Sequence, residues 1–190
     1  MKSLFDAKEL SNEFDINLIG IDEAGRGALA GPMMMAACKL HKELKGLCDS
    51  KKLSEKRREE LYEIIIKNSS YLILAFSNEQ IDTLGLSTCL KTGLKLIKKH
   101  FRTQNFLYDG NSDFGVSGIK TQIKADATIQ QVSAASILAK VSKDRAMNFL
   151  AQNFPCYEFE KNKAYGTKAH KELIAKFGIC KLHRKSFKLS

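Results

Sequence analysis

Apolar and polar positions follow two periods along this chain. Residues 17–22 form a short apolar segment, with Leu18, Ile19 and Ile21 giving it apolar side chains on both faces, and residues 33–40 form a second; both are expected to be strands. Residues 54–67 switch to helical spacing, with Leu61, Ile64 and Ile65 on one face and Ser54 placed to cap the first turn. Residues 71–77, Tyr-Leu-Ile-Leu-Ala-Phe-Ser, have the character of a buried strand. Residues 86–100 return to helical spacing through Leu86, Leu90, Leu94 and Ile97. Two short strands are predicted over 105–109 and 119–125. Thr128 and Gln131 match a capping box for a long helix reaching to about residue 150, with Val132, Ile137, Leu138 and Val141 on its apolar face and small Ala134, Ala135 and Ser136 allowing close packing. A last helix is predicted to start after Thr167 and to end at Gly178. Strands first, then strands alternating with helices, predict an α/β protein with a mixed sheet and helices on its faces. Pro155 marks the expected seam between a main body, residues 1–154, and a C-terminal helical appendage, residues 155–190.

A chain of 190 residues with 44% hydrophobic and 27% charged residues can bury a core of its own. No apolar run approaches the roughly 18 residues that cross a bilayer, and the acidic stretch Met1 to Phe14 lacks the apolar centre of a secretory signal. The five cysteines are scattered, with no C-x-x-C pair, which argues against a zinc cage and for free thiols in the cytoplasm. A net charge of +10 adds a preference for polyanions. No coiled-coil repeat is present, so a monomer is expected.

The chemistry gathers where strands end. The first strand runs into Asp22 and Glu23, and a loop with Gly25, Arg26 and Gly27 follows. Asp109 closes the segment Asn-Phe-Leu-Tyr-Asp, and Asp126 lies just before the long helix. Taken singly, Asp126 fits a helix cap and Asp109 a turn residue before glycine. Taken together, four carboxylates at sheet ends make an oxygen-only site suited to Mg²⁺ or Mn²⁺. Two such ions can activate a water on one side of a phosphodiester and stabilise the leaving oxygen on the other. Adjacent side chains of a regular strand point to opposite faces, so Asp22 and Glu23 are expected to share a site through a break of the strand at Glu23. Ser133, Ser136 and Lys140 of the long helix are assigned to packing and helix registry.

The pattern is more specific than a generic metal site. The segment GIDEAGRGALAGP (20–32) resembles the opening motif of the ribonuclease HII family. The likeness continues in order through DSKKLSEKRREELY (49–62), YDGN (108–111), KADATIQQVSAASILAKVSKDR (124–145), YGTKAH (165–170) and HRKSF (183–187). The resemblance implies an RNase H-like mixed five-stranded sheet flanked by helices, with a small C-terminal helical extension that completes the substrate cleft. It implies an endonuclease that cuts the RNA of RNA–DNA hybrids and the 5′ side of single ribonucleotides embedded in duplex DNA, leaving 3′-OH and 5′-phosphate ends.

Carried over by position, the family's metal-holding acids fall on Asp22, Glu23, Asp109 and Asp126. Its 2′-OH and phosphate reader falls on Gly25, Arg26 and Gly27, and its junction-sensing tyrosine on Tyr165. Lys51 and Lys168 are candidate phosphate contacts, and Lys52 a further one. His170 is expected to orient the C-terminal helix or its loop and is given no chemistry. Ala28 stands where proline is usual, and Asn162 and Ala164 stand near Tyr165 where histidine and glycine are common. No C-terminal clamp-binding peptide is evident, and the length leaves no room for the extra N-terminal domain of the sister family, ribonuclease HIII. A Holliday-junction resolvase on the same fold would share the acids without needing a 2′-OH reader, and a non-catalytic binding module would bind without metal-dependent turnover.

Overall fold

The computed structural model describes residues 14–47, 53–102 and 105–189. Strands β1 (Ile19–Ala24) and β2 (Met33–Leu40) pair antiparallel, and β3 (Ser69–Phe76) pairs antiparallel with β2. On the other side β4 (Phe106–Asp109) runs parallel to β1, and β5 (Ile119–Gln122) parallel to β4. The sheet order is β3-β2-β1-β4-β5, so β1 lies at the centre.

Helix α1 (Glu55–Lys67) begins as expected, with Ser54 Oγ accepting from the Arg57 N–H; Leu61 and Ile65 are buried, whereas Ile64 turns toward solvent. A short helix, α2 (Asn78–Leu84), was not anticipated although its signal is in the chain: Ser77 and Gln80 form a reciprocal capping box. Helix α3 (Leu86–Phe101) sets Leu90, Leu94 and Ile97 against one sheet face, together with Ile19, Ile21, Phe106 and Tyr108. The long helix α4 (Gln130–Ala151) and α1 cover the opposite face over Ala24, Met34, Ala36 and Cys38. Helix α4 sits directly on β1 because Gly20 has no side chain: a Cβ there would lie 2.1 Å from the Gln131 carbonyl carbon.

Three boundaries depart from expectation. Strand β3 is an edge strand, and its middle is only half covered, with Tyr71 facing water. Strand β5 stops at Gln122, and the chain turns through Lys124 at φ 59° into a 3-10 turn over Ala125–Ala127. The capping box at Thr128 does not form. Ile129 occupies the cap of α4 with no side-chain bond, and the Gln131 amide is drawn inward to donate to the Asp15 carbonyl at 2.5 Å.

Beyond α4 the chain makes a 3-10 turn (Pro155–Tyr157), a single helical turn α5 (Phe159–Asn162) and α6 (Lys168–Phe177), capped by Thr167 and stopped at Gly178 as predicted. Tyr157, Phe159, Ala164 and Leu182 pack with Ala28, Ala30, Met147 and Ala151. This smaller core ties the C-terminal segment to the end of α4 and to the loop that leaves β1.

Candidate active site

A cleft of about 630 Å³ opens at the C-terminal ends of β1 and β4, lined among others by Asp22, Glu23, Gly25, Arg26, Asp109 and Tyr165. Each acid reaches it by a different route. Strand β1 does not break at Glu23 but continues to Ala24, paired with β2 through Glu23 opposite Met35. The two side chains therefore leave opposite faces and meet at the sheet's edge. Asp22 lies on the α4 side, and Glu23 lies on the Tyr108 side, where the phenol donates to Glu23 Oε2 at 2.6 Å. Asp109 ends β4, and its Oδ1 accepts from the Ala125 N–H at 3.2 Å. Asp126 is buried within the 3-10 turn that this bond anchors, so it is not the cap of α4.

Asp22, Asp109 and Asp126 each offer a carboxylate oxygen, and these three atoms lie within 4.8 Å of one another. Burial raises the Asp22 carboxyl well above the ordinary range, and the negative charges of Glu23 and Asp109 raise it further, against hydrogen bonds from Ser136 and the Glu23 N–H. Burial also raises Glu23, opposed mainly by Tyr108 and Arg26. An anionic, oxygen-only cluster with mutual repulsion is the environment that a hard divalent cation relieves.

The glycine loop is shaped from beneath. Gly25 has φ +91°, and a Cβ there would lie 2.7 Å from Lys143 Cε and 2.9 Å from the Pro32 carbonyl oxygen. At Gly27 a Cβ would meet nothing within 4 Å, so the space beside that backbone is open. Arg26 is half exposed, 3.7 Å from Glu23 Oε1 and with its guanidinium 5.9 Å from the centre of the Phe114 ring. Arg184, fully buried, donates to the Arg26 carbonyl at 3.0 Å and the Gly31 carbonyl at 3.1 Å. Lys143, also fully buried, donates to the Lys163 carbonyl at 2.6 Å and stands 4.5 Å from the centre of the Tyr165 ring. Burial lowers its ammonium to about 7.

The structure brings Asp22, Glu23, Asp109, Gly25, Arg26, Gly27 and Tyr165 to one cleft, with Asp126 beside Asp22 and Asp109. Lys51 and Lys52 lie outside the described residues. Lys168 is not among the cleft-lining residues; its side chain is 92% exposed and 3.9 Å from Glu172. Ser136 and Lys140, assigned from the sequence to packing and helix registry, instead line the cleft from α4. Their signal was the four-residue spacing, which puts both on one helical face. Arg58, Ile123 and Lys124 also line it and carried no signal of their own.

The fold that brings these carboxylates to the ends of central parallel strands is shared with solved enzymes of the ribonuclease H class. The family model described as ribonuclease HII matches residues 19–190, and the chain belongs to that family. It is 88% identical over 190 residues, all of both chains, to ribonuclease HII of Campylobacter jejuni subsp. jejuni serotype O:6. Its fold matches that of the RNase HII in the PCNA:RNase HII complex from Archaeoglobus fulgidus, with a TM-score of 0.77 and 29% identity over 90% of this chain and 95% of that one. The likeness to Bst-RNase HIII, solved in complex with Mn²⁺, is one of fold, with a TM-score of 0.63 and 16% identity over 91% of this chain and 68% of that one. The protein is thus a hydrolytic endoribonuclease of the kind that acts on RNA–DNA hybrids. Among the described residues no helix is long and apolar enough to cross a membrane.

Proposed function

We propose that this ribonuclease cuts the phosphodiester on the 5′ side of a ribonucleotide, both within RNA–DNA hybrids and at single ribonucleotides in duplex DNA, leaving 3′-OH and 5′-phosphate ends. The observation that carries the reading is the shared cleft: the acid cluster, the open backbone at Gly27 and the Tyr165 side chain face one space. Asp22, Glu23, Asp109 and Asp126 would hold two Mg²⁺ or Mn²⁺ ions. Bound there, the ions supply an activated water and a counter-charge for the leaving oxygen.

The chain's own groups do the positioning. Tyr108 holds one oxygen of Glu23, and the Ala125 N–H holds one oxygen of Asp109. The backbone from Gly25 to Gly27 can approach a ribose 2′-OH, the group that separates RNA from DNA. Arg26 offers a planar fork to the neighbouring phosphate. Tyr165 would stack on the deoxyribose that follows the ribonucleotide, so residues 155–190 complete the cleft. Lys51 would grip the duplex backbone, and Lys168 would do so beyond the cleft. No side-chain nucleophile is required.

The test is a labelled DNA duplex carrying one ribonucleotide, incubated with Mg²⁺ or Mn²⁺ or with a chelator, beside an all-DNA duplex and a long RNA–DNA hybrid. A metal-dependent nick immediately 5′ of the ribonucleotide, with the all-DNA duplex intact, is expected. Cutting of the hybrid alone would remove Tyr165 as a junction sensor, and cutting of neither would leave a binding module.

A further inference from the structure

His170 and His183 are buried, at 0% and 1% exposure, and neither belongs to the acid cluster of Asp22, Asp109 and Asp126. Their partners fix where the ring protons sit. The Cys180 backbone N–H, which can only donate, lies 2.9 Å from His183 Nδ1, with Cys180 Sγ 3.2 Å from the same nitrogen. His183 Nδ1 is therefore an acceptor, and the neutral ring carries its proton on Nε2. The Tyr165 carbonyl, which can only accept, lies 2.9 Å from His170 Nδ1. His170 Nδ1 is therefore the donor, and its Nε2 is free to accept. The two Nε2 atoms are 3.3 Å apart, a donor facing an acceptor. Every bond runs in one direction, from the Cys180 N–H through both rings to the Tyr165 carbonyl.

This relay closes a ring of contacts around the segment after the glycine loop. Ala28 bridges to Tyr165 and Ala30 bridges to His183. The Leu29 N–H donates to the Ala164 carbonyl at 2.8 Å, and the Arg184 N–H donates to the Leu29 carbonyl at 2.8 Å. Residues 28–30 are thus gripped on one side by the Tyr165 segment and on the other by the His183 segment, and the histidines join those two segments to each other. The rings of Phe159 and Tyr157 pack edge-on or tilted against the pair.

We propose that His170 and His183 act as positioning residues: as a neutral, one-directional relay, they fix Tyr165 relative to the Gly25–Gly27 backbone and so set the preference for a single embedded ribonucleotide over a long hybrid. The selectivity in this statement rests on the reading of Tyr165 as the junction sensor. The relay itself does not. Two rigid readers set at one spacing select a substrate whose 2′-OH and deoxyribose share that spacing, and a shift of about 1 Å is enough to lose the match.

The test compares kcat/KM on a one-ribonucleotide duplex with kcat/KM on a long hybrid, both with Mn²⁺, and reads their ratio. Tyr165→Ala is expected to lower the ratio about tenfold. His170→Gln, whose amide reaches the Nε2 position but not Nδ1, is expected to lower it by a similar factor. His170→Asn, whose amide nitrogen replaces Nδ1 and keeps the bond to the Tyr165 carbonyl but loses the one to His183, cuts the relay at its other link and is also expected to lower it. A ratio unmoved by either the Asn or the Gln variant while Tyr165→Ala lowers it would overturn the positioning role. A ratio unmoved by Tyr165→Ala would instead overturn the junction-sensor reading. Nitrogen-15 spectra of the unaltered protein test the relay with no variant at all. His183 should be protonated at Nε2 and His170 at Nδ1 at neutral pH, and any other pattern would overturn it.

Discussion

The two ends of the cleft solve opposite electrostatic problems. At the acid end, Asp22, Asp109 and Asp126 crowd one another, with Glu23 adding to the repulsion felt by Asp22, against which Ser136, Tyr108, Arg26 and backbone N–H groups act. At the other end, two buried basic side chains and two buried histidines are bonded to carbonyls and amides: Lys143 to Lys163, Arg184 to Arg26 and Gly31 with its Nη2 left without a partner among the described residues, and the histidines to Cys180 and Tyr165. Like charges held together cost folding free energy that a bound cation can return. Matched polar groups rigidify instead. The acid end is held in a state that a bound cation would relieve, whereas the support beneath the glycine loop is largely bonded within the protein itself.

The sharpest way to break the contrast is Asp22→Asn. Cleavage should fall by about 10⁴-fold, the scale on which loss of one member of a catalytic set is felt. Duplex binding should largely persist, because the phosphate contacts remain. Without divalent metal the variant should melt higher than the parent, by roughly 3 °C, since a raised carboxyl pKa means the ionised form opposes folding at neutral pH. Gel-based cleavage and a melting curve in chelator check both halves, and a lower melting point would show that Asp22 is not strained by its neighbours.

At the other end the sign should reverse. Arg184→Met strands the Arg26 and Gly31 carbonyls, and a loss of about 3 kcal/mol in urea unfolding is expected, with no stabilising counterpart in chelator. Gly25→Ala meets both a positive φ and the Lys143 stem; a fall of about 100-fold in kcat/KM is expected, with a smaller effect on melting. The smallest effect is one of pH. Burial first, and then the neighbouring His170, lowers His183 to about 4. Between that value and the ordinary value of 6.5, the unfolded chain binds the proton and the folded chain does not. Stability from this group is therefore complete above the ordinary value and is lost as the pH falls toward the folded one. Melting at pH 7 and pH 4.5 should show an additional loss on the order of 5 °C in the parent relative to His183→Gln.

Much of the acid end was legible in the chain, because a carboxylate that closes an apolar strand is costly to bury unless a cation binds it. Asp22, Glu23 and Asp109 stand where β1 and β4 end, and Ser54 and Thr167 cap the helices they were expected to cap. What failed was local reasoning about groups with distant partners. Thr128 and Gln131 have capping-box spacing, yet Gln131 is taken by the Asp15 carbonyl, 116 residues away in sequence. Glu23 needed no break in the strand, because a strand that ends at a cleft can present both of its faces to it. Lys143 and Arg184 look like surface charge in any composition count. Only the fold shows that each is buried beneath the loop it supports.

The bond from Arg184 to the Arg26 carbonyl spans 158 positions of sequence, and this gives the molecule an order of assembly. During synthesis the strands that carry Asp22 and Asp109, and the α4 helix behind them, have all emerged before Tyr165, His170, His183 or Arg184 is made. Non-local contacts of this reach form late and slowly. The nascent chain can therefore gather its acids while the Gly25–Gly27 loop still has no floor. The acid end is built first and the support of the glycine loop last, so under the proposed function the closing step of folding would also be the step that makes the enzyme selective.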